Sequence, residues 1–227
     1  RFSHGSAIIS ALQTRQEIVV WTDTSLYSMQ YLGPPYVWNS QLISDNISIV
    51  GQNATALASG VVYWMGIDKF YKYDGRVQTL RCDLRAYVFD NFNFSQSQQV
   101  YCGTVERFTE VWWFYCSANS TTVDKYVVYN YIEDIWYYGT MARTAWIDSG
   151  ISEYPIGATY SNKLMNHENG LNDYEGITPA PLNAFITTSE FDIDDGHNFV
   201  FIRRILPDLT FKGSTATSPS ATTVSYT

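Results

Sequence analysis

The sequence predicts an all-β protein, a β-propeller or partial propeller built from repeated antiparallel hairpins, and three observations carry that expectation. Four hairpin units can be superposed with Trp21, Tyr63, Trp113 and Ala158 in equivalent places, 42, 50 and 45 residues apart. Propeller blades span roughly 40–50 residues. Aromatic residues make up 16% of the 227-residue chain, with 18 Tyr and 7 Trp, and aromatic and β-branched side chains suit a pleated, half-buried surface. Runs such as Val61-Val62-Tyr63-Trp64 and Val111-Trp112-Trp113-Phe114-Tyr115 are apolar on both faces, as strands are when sheets cover them on both sides. A β-sandwich with evenly spaced strands is the competing architecture.

The units follow in order. The first pairs residues 18–23 with 25–29, ahead of the rigid turn Gly33-Pro34-Pro35. Residues 41–50 read as a strand and 53–60 as its connection. The second unit spans 60–75, with Gly66-Ile67-Asp68 in its turn and Asp74-Gly75 closing its second strand. A short helical insertion is predicted near residues 83–91, because Leu84, Tyr87 and Val88 stand at i, i+3 and i+4 behind Asp83 as a cap. Residues 95–99 extend it. The third unit joins 111–115 to 124–129 through a polar tip at 117–123. Within it, residues 127–136 (VVYNYIEDIW) end one strand in a polar turn and restart on Trp136. Residues 145–155 read as a connector. The fourth unit, 156–160 with 162–167, is weaker. A loop at 169–181 precedes a hairpin with strands 185–193 and 198–206 around Asp194-Asp195-Gly196-His197.

The chain opens at Arg1 without an initiator Met, so it reads as the continuation of a larger protein. Residues 1–16 are then an entering segment, 17–211 the propeller-like domain, and 212–227 a Ser/Thr-rich arm or linker. Net charge is −8, which opposes sequence-specific DNA binding but not the passage of DNA along a wall. No apolar run reaches the ~18 residues of a membrane span. Cys82, Cys102 and Cys116 are odd in number and read as free thiols rather than a disulfide framework. Sequons at Asn46, Asn53, Asn93 and Asn119 are read as chance matches in a Ser/Thr/Asn-rich chain.

The search for chemistry returns little. His4, His167 and His197 have no His or Cys at metal-ligand spacing. Asp192, Asp194, Asp195 and Gly196 resemble the start of a calcium loop, but the twelfth position is Arg203 where an EF-hand needs Glu. Asp23, Asp68 and Asp124 recur within the units. They read as turn formers, with a carboxylate pair in a glycosidase propeller as the catalytic alternative. No nucleophile elbow or phosphate loop is present. No catalytic residue, cofactor, metal or small-molecule substrate is therefore expected. Trp38, Trp146 and Tyr154 read as exposed aromatics able to stack on sugars or on subunits. Arg203 and Arg204 form a basic pair in an acidic chain, so Arg203, Arg204, Trp38 and Trp146 are the expected subunit contacts.

The stretches IVVWTDTSLYSMQYLGPP, VVYWMGIDKFYKYDGRVQTL, VVYNYIEDIWYYGTMARTAW and FDIDDGHNFVFIRRILPDLTF together resemble the propeller-bearing tail hub or nozzle (neck) structural proteins of short-tailed bacteriophages. The similarity spans roughly residues 17 to 211. It implies a non-enzymatic virion subunit, ringed with copies of itself and with neighbouring tail and portal proteins around the DNA exit channel. Acidic residues facing that channel would keep DNA from adhering. Two alternatives are a carbohydrate-binding or glycan-cleaving propeller at a tail tip and a secreted propeller interaction domain. A kelch adaptor fits less well, because the paired glycines of a kelch blade are absent.

Overall fold

A computed structural model describes residues 3–176, 178–182, 201, 203 and 204. Residues 1–182 form one compact unit and 183–227 a second. In the first unit four antiparallel meanders follow one another along the chain, each strand paired with its sequence neighbour. Blade 1 is Ile8–Gln13 (β1), Ile18–Thr22 (β2), Ser25–Tyr31 (β3) and Trp38–Asp45 (β4). Blade 2 is Thr55–Ala58 (β5), Val61–Met65 (β6), Phe70–Tyr73 (β7) and Val77–Leu80 (β8). Blade 3 is Tyr101–Val105 (β9), Glu110–Tyr115 (β10), Lys125–Asn130 (β11) and Ile135–Thr140 (β12). Blade 4 has three strands, Ala145–Ile147 (β13), Ile156–Ala158 (β14) and Leu164–Asn166 (β15), and a two-stranded pair follows, Asn172–Asp173 (β16) with Ala180–Pro181 (β17). The fold is all-β and propeller-like, as the repeat predicts.

The first strands of successive blades adjoin one another, β1 to β5, β5 to β9 and β9 to β13. Three of these inner strands fall where the sequence reading has other things. Residues 8–13, placed in the entering segment, form β1. Residues 55–58, read as a connection, form β5. Residues 145–147, read as a connector, form β13. Inner strands are short and only partly buried, so Thr-Ala-Leu-Ala and Ala-Trp-Ile carry neither an apolar run nor a clean alternation. The strand expected at 41–50 is β4, which stops where Asn46 takes a left-handed φ of 54°.

Aromatic pairs lock each blade to the next. Trp21 meets Trp64 edge-on with ring centroids 5.5 Å apart. Tyr63 packs against Tyr129 at 6.0 Å, and Phe70 against Trp113 at 5.0 Å and Trp136 at 4.7 Å. Trp21 and Tyr63 therefore face the blade that follows them, which supports their equivalence. In blade 3 that face belongs to Trp112, which stacks on Trp146 of blade 4, while Trp113 turns back toward blade 2. The equivalence of Trp113 is thus corrected by one residue. All of β10 is buried, and successive side chains point to opposite faces, so two adjacent tryptophans serve opposite neighbours and composition cannot tell them apart.

The insertion between blades 2 and 3 is helical but shorter than expected, Arg85–Phe89 (α1), and Leu84 rather than Asp83 stands at its N-cap without a side-chain hydrogen bond. Residues 94–99 are a separate 3-10 segment, capped by Asn93, whose side chain accepts from the Ser95 N–H. The 127–136 phrase is a hairpin as read. The Asn130 side-chain oxygen accepts from the Ile132 and Glu133 amides at 3.1 and 2.9 Å, and the Tyr129 hydroxyl donates to Asp134 at 2.8 Å. The hairpin expected at 185–206 and the arm at 212–227 lie outside the described residues, apart from Phe201, Arg203 and Arg204.

Candidate functional site

The inner strands surround a cavity of about 660 Å³. Blade 1 contributes Ser10, Ala11 and Leu12; Gln52, Asn53 and Thr55 come from the approach to blade 2 and its first strand. Gln98, Gln99, Tyr101 and Cys102 come from the same region of blade 3, and Thr144, Ala145, Trp146 and Tyr160 from blade 4. Every side chain in this wall is uncharged. No carboxylate is among its lining residues. The inner strands carry Ser, Thr and Cys at the positions paired with Trp21, Trp64 and Trp113, so the wall is polar without charge.

Several polar groups of the wall are used within the fold. The Ser10 hydroxyl donates to the Gln52 carbonyl at 2.7 Å, and the Cys102 amide donates to the Asn53 carbonyl at 2.8 Å. The Trp146 indole N–H donates to the Thr104 carbonyl at 3.0 Å, and the Tyr160 hydroxyl accepts from the Val123 amide at 2.9 Å. Gly103 permits the close approach of Trp146, since a Cβ there would stand 2.5 Å from its Cδ1. The Tyr101 hydroxyl is buried without a partner among the described residues, and burial raises its pKa above the ordinary tyrosine range. Burial also raises the Cys102 thiol, which leaves it a poor nucleophile.

Charge collects instead at a second cavity of about 650 Å³, lined among others by Arg15, Glu17, Asp74 and Glu106. Glu17 joins two blades there. It accepts from the Tyr73 hydroxyl at 2.8 Å and from the Ser28 hydroxyl.

The three recurrent aspartates do not converge. Asp23 accepts from the Ser6 amide at 2.8 Å and its hydroxyl at 2.5 Å. Asp124 accepts from the Ser117 amide and hydroxyl at 2.8 and 2.6 Å. Asp68 pairs with Arg85 at 3.3 Å and Lys69 at 3.7 Å. Asp124 closes its own hairpin tip, whereas Asp23 holds a loop 17 residues away and Asp68 forms ion pairs, so the turn-former reading describes Asp124 alone. His4 bonds Ser3 at 2.9 Å. His167 accepts from Arg143 Nε at 3.1 Å and packs on Trp146 at 4.6 Å. Burial, reinforced by the Arg143 guanidinium, lowers His167 to about 4. His197 and residues 192–196 lie outside the described residues. No group of three or more His, Cys, Asp or Glu among the described residues is arranged to hold a metal ion. No described helix is long and apolar enough to cross a membrane.

The expected contact residues separate. Trp146 is half-buried between blades 3 and 4 rather than exposed, because Trp112, Phe114 and His167 surround it. Tyr154 is also partly buried. Arg203 and Arg204 are both exposed. Trp38 is 53% exposed and meets Tyr31 edge-on at 5.5 Å. Around it the β3–β4 turn also exposes Tyr31, Leu32, Tyr36 and Val37, and the Leu32 amide bonds the Val37 carbonyl at 3.2 Å. The cavity was missed by sequence reasoning because its residues lie in the unrecognised inner strands and in loops.

No protein-family profile matches the chain. No curated protein matches it in sequence. Among solved structures it is similar to the crystal structure of Kluyvelomyces marxianus Hsv2, with a TM-score of 0.43 and 10% identity, over 82% of this chain and 56% of that one. The chain thus spans little more than half the length of that structure, and its propeller-like character rests on its own blade topology.

Proposed function

We propose that this chain is a non-enzymatic structural subunit of a bacteriophage tail or neck assembly, a hub or nozzle component that supports the DNA exit channel. The resemblance of four long stretches to such proteins supplies the family. The observation that carries a structural role is the exposed apolar turn of blade 1. Tyr31, Leu32, Tyr36, Val37 and Trp38 are each more than half exposed on one hairpin tip. A soluble chain keeps such a local concentration of large apolar side chains when another subunit covers it. Aromatic locks between successive blades make the scaffold stiff, and the recurrent aspartates are taken up separately, by a loop, an ion pair and a hairpin tip, rather than by a paired acid and nucleophile. The partners are other copies of the chain in a ring and the adjacent tail and portal proteins.

Mass spectrometry of purified particles tests the assignment and should find peptides of this chain at several copies per virion; particles devoid of it end the proposal. Trp38→Glu with Tyr36→Ser should prevent incorporation while leaving the circular dichroism spectrum unchanged.

A further inference from the structure

The open cavity lined by the inner strands has the size and chemistry of a ligand site, separate from the apolar turn. Its volume of about 660 Å³ falls within the ~300–1,000 Å³ of small-molecule sites. Its wall offers no counter-charge, and moving an ionised ligand out of water without one is costly. Neutral hydrogen-bonding groups are plentiful. Gln52, Asn53 and Gln98 border the cavity and are exposed, and their side-chain amides have no hydrogen-bond partner among the described residues. Asn91, Asn93 and Asn130 hold backbone amides or carbonyls, whereas exposed amides such as Asn39 and Gln41 are unpartnered among the described residues as those of the cavity are. Each free amide presents both donors and an acceptor.

One aromatic ring is also set up as a platform. Tyr160 borders the cavity, is 43% exposed, and is held by the Val123 amide through its hydroxyl. Its orientation is therefore fixed while its ring remains accessible. A ligand that matches free amides and an anchored ring is neutral, carries hydroxyls that both donate and accept, and has an apolar face. We infer that the cavity bounded by Gln52, Asn53, Gln98 and Tyr160 binds a neutral oligosaccharide, with the amides reading hydroxyl groups and Tyr160 stacking on a sugar ring.

The inference does not depend on the virion assignment. The purified chain is applied to an array of neutral and sialylated oligosaccharides, and the best-retained neutral glycan is then titrated calorimetrically. Neutral glycans should be retained and sialylated ones not. Gln98→Ala and Gln98→Glu should each weaken binding about tenfold, the loss of one hydrogen bond to a neutral ligand. Tyr160→Phe should keep more affinity than Tyr160→Ala, because it keeps the ring. Gln98→Ala must retain the wild-type melting temperature, so that lost binding is not lost folding. Retention of no neutral glycan, preference for sialylated ones, or unchanged affinity in both Gln98 variants overturns the inference. Displacement of the glycan by an uncharged Gly-Ser peptide at equal concentration overturns it too, in favour of a peptide-binding cavity.

Discussion

Trp112 and Trp146 lie stacked across the junction of blades 3 and 4, with ring centroids 5.3 Å apart and planes 15° from parallel. Trp112 is 5% exposed, and its indole N–H donates to the Glu110 carboxylate at 2.9 Å. Trp112→Ala should therefore cost about 3–5 kcal/mol, the range for emptying a large aromatic site. It also leaves a buried carboxylate without one of its donors. Urea denaturation checks this; a loss below about 1 kcal/mol would show that the stack contributes little.

The same junction predicts a contrast between two glycines. A Cβ at Gly103 meets Trp146 at 2.5 Å, whereas one at Gly150 meets nothing within 4 Å. Gly103→Ala should destabilise by about 1–3 kcal/mol through overpacking. Gly150→Ala should be neutral or stabilising by up to about 1 kcal/mol, because it narrows the unfolded ensemble. Parallel melting curves decide it, and equal effects of the two substitutions would count against the packing described for Trp146.

His167 makes blade 4 sensitive to acid. In the unfolded chain a histidine takes up its proton near 6.5, whereas folded His167 does so only near 4. Between those values the unfolded state binds more protons, so stability falls as pH drops through that window and is unaffected by this group above it. The melting temperature should fall by about 4–7 °C more for the wild type than for His167→Gln between pH 7 and pH 5. Identical slopes would mean that other groups carry the acid sensitivity.

The thiols should be inert in the native state. Burial raises Cys82 to about 12, Cys116 to about 11 and Cys102 well above its ordinary value. At pH 8 few thiolates exist to react. Modification by a disulfide reagent should be slow natively and complete in urea. Rapid labelling of Cys102 in the folded protein would contradict the raised pKa of this half-buried wall residue.

Much of the fold was legible before any coordinates. The central hairpins β2–β3, β6–β7, β10–β11 and β14–β15 all stand where the aromatic repeat places them, because strands covered on both faces must be apolar throughout and their turns need Gly, Asn or Asp. Asp124 could be read as a turn former for the same local reason, whereas Asp23 holds Ser6, 17 residues away. The candidate site was not legible. Its residues are Gln, Asn, Thr and Tyr from inner strands and loops that carry no periodic signal, and each looks like ordinary surface until four blades bring them around one space.

The sequence by itself therefore determined the class of fold, the repeat unit and its turns, since these depend on side-chain period and local backbone preference. Tertiary structure alone decided which of two adjacent tryptophans faces which blade. It also decided that Trp146 is packed rather than exposed, and that an uncharged cavity lies between the inner strands. Those outcomes depend on contacts between residues far apart in the chain, and a residue's partners across a blade junction are set by how the sheets stack rather than by its neighbours in sequence.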